Sequence, residues 1–133
     1  MQILTLYFVT VLVFLAVDIV GLKLFLKPLF DRHLGDWMLE DPKLAPAAAF
    51  YLFYIVGVVY FVSLPALAEG GVVKALLTGA FLGAVAYGTY EFTNYATLTR
   101  WSLEMVLTDV IWGAFLTAIS AAAGVAVVKA LWN

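Results

Sequence analysis

Residues 44–68 read LAPAAAFYLFYIVGVVYFVSLPALA, 25 residues without a single charge. A helix rises about 1.5 Å per residue and the hydrocarbon core of a bilayer is roughly 30 Å thick, so about 20 apolar residues suffice to cross it. The stretch is long enough to span a membrane, and that reading decides the fold. The pair Asp41-Pro42 just upstream fits an N-cap and first helical position, which predicts a helix over 42–68.

The rest of the chain agrees. Of its 133 residues 65% are hydrophobic and only 12% charged, with mean hydropathy +1.05, whereas soluble domains are about a quarter charged. Three further apolar segments qualify as spans, predicted over 3–30, 73–97 and 102–130. The first begins at Ile3 without a positive leader region, and no small-residue cleavage site follows it, so it reads as an uncleaved helix. Gly70-Gly71 makes the turn before the third, and Pro65 is expected to end or bend the second. The predicted architecture is all-α: one domain, residues 1–133, a bundle of four transmembrane helices joined by short loops.

One connection is long. Residues 31–45, DRHLGDWMLEDPKLA, put Leu34, Trp37 and Met38 on one helical face, which suits an interfacial segment; a solvated loop with Trp37 at headgroup level is the alternative. Lys23, Lys27, Arg32, Lys43 and Arg100 fall on one side of the membrane, against Lys74 and Lys129 on the other. That bias predicts both termini outside the cytoplasm.

The acidic residues are unevenly placed. Asp18 lies late in the first helix, Glu91 late in the third and Asp109 early in the fourth; because successive spans alternate in direction, all three approach one membrane face. Ionised carboxylates are costly at such depth and normally face the bundle interior, paired, hydrated or protonated. Tyr87, Glu91 and Asn94 form a stripe at i, i+4 and i+7, flanked by Tyr90 and Trp101. Thr108, Asp109 and Trp112 form a matching patch on the fourth helix. Asp18 shares its face with Phe14 and Leu22, so its partner must come from elsewhere: the Asn94 amide, a tyrosine hydroxyl, water, Lys23 or Arg100. The candidate ligand-binding or proton-coupling residues are therefore Asp18, Tyr87, Glu91, Asn94, Asp109 and Trp112. An interhelical hydrogen-bond clamp is the structural alternative, although one acid and one Asn would suffice for it. Glu104, in the first turn of the fourth helix, reads as a complement to the helix dipole.

Other features point to packing. Gly79 and Gly83 form a GxxxG, and Gly113, Thr117, Ala121 and Gly124 continue small residues along the fourth helix, for close helix contact or a homodimer face. Phe50, Tyr51, Phe53, Tyr54, Tyr60 and Phe61 read as core and lipid-facing bulk rather than a ligand cage. His33 reads as a solvated loop residue. With no second His, no Cys, no nucleophile–base pair and no Gly-rich phosphate loop, the chain carries no pattern for a metal, haem or other cofactor. Any enzyme chemistry would fall to Asp18, Glu91 and Asp109. No basic block suggests nucleic acid; membrane lipids are the expected partners.

The segments FYLFYIVGVVYFVSLPAL and GAFLGAVAYGTYEFTNYATLTRWSLEMVLTDVIWGAFLTA, with LAVDIVGL before them, resemble a bacterial family of small four-helix membrane proteins known as domain of unknown function 2177. The motif positions that match are Asp18, Tyr87, Tyr90, Thr93, Asn94, Ala96, Thr97, Leu98, Trp101, Asp109, Trp112 and Gly113. Two positions depart from the pattern: Glu91 stands where the family usually has Asp, and Val20-Gly21 where a Trp usually follows the first-helix acid. The resemblance implies fold, topology and a bacterial inner-membrane location, but no activity. Two functions suit the residues: binding or handling of a lipid or small amphipath from the cytoplasmic leaflet, or proton-coupled transport by a dimer. An accessory, purely structural subunit is the third. Few polar residues of the second and fourth helices lie away from the carboxylate end, Thr117 and Ser120 being the main ones, which disfavours alternating access.

Overall fold

A computed structural model describes Met1–Trp132. It contains four helical spans, Gln2–Trp37, Leu44–Ala68, Gly71–Thr97 and Leu103–Trp132, each long and apolar enough to cross a membrane. The first consists of α1 (Gln2–Gly21), a π-helical turn (Leu22–Leu26), α2 (Lys27–Leu34) and a closing 3-10 turn (Gly35–Trp37). The second consists of α3 (Leu44–Val58), a π-helical turn (Val59–Ser63) and α4 (Leu64–Ala68). The third is α5 (Gly71–Thr97) and the fourth α6 (Leu103–Trp132).

Both π turns have the same cause. Each ends two residues before a proline, Leu26 before Pro28 and Ser63 before Pro65. Proline has no N–H for the carbonyl four residues back, and its ring crowds that carbonyl. Bonding relaxes to five-residue spacing, with Lys27 N–H donating to Leu22 O and Leu64 N–H to Val59 O. The helices thus shift register and continue: Pro65 does not end the second span, and the first runs past the predicted Phe30.

Helix starts follow local chemistry. The second begins at Leu44, not at Pro42; Pro46 takes a first-turn position, where a missing N–H leaves no bond unmade. Gly70 and Gly71, at φ 99° and 64°, reverse the chain, and α5 starts at once, two residues before the expected 73. Ser102 caps α6, its Oγ accepting from Met105 N–H at 3.2 Å.

α6 is the hub. Half of its most apolar stretch is buried, against 28% for the first and second spans and 17% for the third. Toward α5 it presents Gly113, Ala114, Thr117 and Ala118: a Cβ on Gly83 would lie 2.3 Å from Gly113 O, and one on Gly79 3.0 Å from Ala118 Cα. The GxxxG therefore serves contact within the chain. Toward α1 it presents Gly124, against Thr10 and Leu6. Phe14, Leu6, Ile55, Val58, Leu116 and Val125 fill the main core. The second span meets α5 through its π turn and α4, while α3 touches α1 at a few points and reaches α5 and α6 through long side chains such as Tyr54.

The long connection divides: its first part continues the helix as far as Trp37, and residues 38–43 form an irregular, largely exposed loop. Its first residues complete α2, and Leu34 is buried with Leu29, Trp101, Met105 and Val106. Arg100 closes the end: its guanidinium donates to Leu34 O at 2.7 Å and to Asp36, and lies 4.5 Å from the Trp37 ring centroid. Arg32 reaches Glu104 at 2.7 Å and His33 Nε2 approaches it at 3.2 Å. His33 is thus a helical residue, and Glu104 a tie to α2 as well as a first-turn acid.

Candidate functional site

Three spans bring their acids to one level of the bundle. Asp18, Glu91 and Asp109 are 4%, 0% and 9% exposed, so the polypeptide itself shields all three. Asp18 Oδ1 accepts a bond from Trp112 Nε1 at 3.1 Å. The hydrogen-bond partner is thus an indole, not Asn94, Lys23 or Arg100. Gly21 makes this arrangement fit, since a Cβ there would come 2.2 Å from the Trp112 ring. Phe25, in the π turn, meets that ring edge-on at 5.0 Å.

Glu91 repeats the theme. Its Oε1 accepts from Trp101 Nε1 at 2.8 Å, and Trp101 is held between Phe30 and Tyr90 by edge contacts of 5.6 and 5.8 Å. Oε2 is buried without a hydrogen-bond partner, and the Asp109 carboxyl is a neighbour of Glu91. Tyr87 lies on the backbone of α6 at Gly113, where a Cβ would come 2.1 Å from its ring, and stands 6.3 Å from Tyr54. Tyr54 in turn shares a 2.9 Å hydrogen bond with Thr117.

Of the residues singled out from the sequence, Asp18, Tyr87, Glu91, Asp109 and Trp112 are brought together. Asn94 is not joined to a carboxyl; it is half-buried beside Tyr90, one turn further along. Tyr51 was hidden within an aromatic run that reads as bulk, and Gly21 carried no signal beyond its departure from the family pattern. Among the described residues, the four ion pairs use Asp31, Glu104 and Asp36 and leave the three buried acids without a basic partner. Nor are three acids or histidines placed closely enough to hold a metal ion.

Fold and site together define a four-span integral membrane protein with a buried acidic and aromatic centre. The sequence profile of the family described as "Predicted membrane protein (DUF2177)" matches residues 3–126, and the chain belongs to that family. No curated protein and no solved structure matches it.

Proposed function

We propose that the protein binds a lipid or small amphipath whose polar end carries a positive charge, taken up at the acidic centre. The observation that carries this reading is the imbalance of the centre: three buried carboxyls meet there with indole donors but no basic side chain. Buried charge is retained where it is paired, and a cationic group is what this centre lacks. The aromatic rings of Tyr51, Tyr87 and Trp112 around it suit an ammonium group as well. In this reading the acidic end lies at the cytoplasmic leaflet of a bacterial inner membrane with both termini on the opposite side, an orientation that the Lys and Arg bias supports. The test is purification with native lipids, followed by mass spectrometry of the lipid retained. Amine-bearing lipid should be enriched over the bulk extract with the wild type and not with Asp109→Asn; identical lipid profiles for both would overturn the reading.

Proton-coupled transport is the second reading. It is favoured by the Tyr54–Thr117 hydrogen bond and by the buried, unpartnered hydroxyls of Ser63 and Ser120, which carry polar groups beyond the carboxylate level. Uptake of a quaternary ammonium dye into proteoliposomes, driven by a proton gradient and abolished in Asp18→Asn, would establish it. Absence of gradient-driven uptake would remove it.

A further inference from the structure

The acidic level lies between two apolar cores. Along the first span Asp18 falls between Phe14 of the main core and Leu29 and Leu34 of a smaller one; along α6 Asp109 falls between Leu116 and the smaller core's Met105 and Val106. From Glu91 to the end of α5 at Thr97, and from the start of α6 at Leu103 to Asp109, is about 9 Å of helix. The smaller core occupies that interval, with Trp101 reaching through it to Glu91. It is what separates the acids from the nearer membrane surface.

One segment holds this cover in place. α2 contributes Leu29 and Leu34, and with the π turn before it touches both indoles that serve the acids: Phe30 meets Trp101 at 5.6 Å and Phe25 meets Trp112 at 5.0 Å. Along its backbone α2 makes no extended approach to another span, so side chains alone join it to them. It hangs from α1 by the π turn Leu22–Leu26, where Pro28 withholds an N–H and the helical bonding widens. Its far end is fastened at the surface, by Arg100 to Leu34 O and Asp36 and by Arg32 to Glu104. The side chains of these two ion pairs are 39% to 85% exposed, so water and salt weaken both.

We propose that α2 is a lid, turning on the π turn and held shut by Arg100 and Arg32, whose opening exposes the acidic centre to the adjoining membrane surface. Lifting Phe30 and Leu34 releases Trp101, whose indole then leaves Glu91. Opening thus uncovers the acid and removes its donor in one movement. The lid rests on the reading that the acids are the ligand site, and it supplies the way in that enclosed acids require.

Carboxyl labelling measures the opening without any ligand. The full chain in phosphatidylethanolamine/phosphatidylglycerol nanodiscs is treated with a water-soluble carbodiimide and glycine ethyl ester. Label at Glu91 is read by mass spectrometry against exposed Glu69 at the opposite end. Arg32→Cys, Glu104→Cys and Arg100→Gln together remove both ties. Label at Glu91 should rise about tenfold over the wild type, the scale of two exposed ion pairs and a backbone hydrogen bond lost from the closed form. Joining the two cysteines with a short bis-maleimide pins α2 to α6, cleanly because the chain has no cysteine of its own, and should return the label to the wild-type level. Since the same variant is compared before and after joining, general loosening by the substitutions does not mimic the result. Equal label in the joined and unjoined forms would overturn the proposal, as would no rise in the unjoined form. Failure of the ligand reading is a separate result. Lipid profiles identical for wild type and Asp109→Asn, with label that depends on joining, keep the lid and remove the cationic ligand. A selective profile with label indifferent to joining does the reverse.

Discussion

Trp112 has one polar atom, and it is directed at Asp18. Trp112→Phe keeps the ring surface against Phe25 and removes only that donor, leaving a buried carboxyl oxygen one bond short. The expected loss is about 1–3 kcal/mol of stability. Adding Asp18→Asn should recover part of it, because an amide tolerates the missing donor better than an acid; a double-mutant cycle by thermal unfolding in detergent measures the coupling. Gly21→Ala tests the other side of the contact. A methyl 2.2 Å from the indole must displace it, with an expected destabilisation of about 1–3 kcal/mol and a change in tryptophan emission. At this scale the sequence was informative in one direction only. Carboxyls and stripes are readable because helical periodicity puts Tyr87 and Glu91 on one face. Which indole serves which acid is not, since Trp112 and Asp18 are 94 residues apart and a glycine admits their contact.

Among the elements, α5 and α6 come closest, backbone against backbone. Gly83→Ala would set a methyl 2.3 Å from Gly113 O, an atom that moves only if a helix does. Gly88→Ala, on the same helix, meets nothing nearer than 3.9 Å. The first should lower the unfolding temperature clearly, on the scale of about 1–3 kcal/mol, and the second should be neutral or slightly stabilising; parallel melts compare them. Spans were legible in the sequence because uncharged length is set by bilayer thickness. Their ends and interiors were less so. Pro28 and Pro65 signalled disturbance, yet a π turn that lets the helix run on depends on neighbouring helices holding both halves in place, which no local pattern records. The start of the second span was misplaced because two prolines, Pro42 and Pro46, compete for the same signal.

For the whole molecule, the position of α6 explains why its small residues run along two faces: Gly113 and Ala114 receive α5, and Gly124 receives α1. That much could be suspected from spacing. The stand-off of α3 could not, because an aromatic row looks the same whether it borders a groove or faces lipid evenly. It also implies uneven local stability. In hydrogen exchange, amides of α3 should lose protection before those of α5 and α6, and a uniform pattern would contradict a loosely attached α3.

The central place of α6 also has a consequence in time. It is translated after the other three spans, so Asp18 enters the bilayer before Trp112 exists to receive it. The nascent chain passes through an interval in which an embedded acid lacks its donor, a state that insertion machinery must shelter and membrane proteases can recognise. A chain ending before Leu103 should therefore be cleared rapidly in cells. Pulse-chase of that truncation beside the full-length protein measures the difference, and equal half-lives would show that the first three spans manage their acids without the fourth.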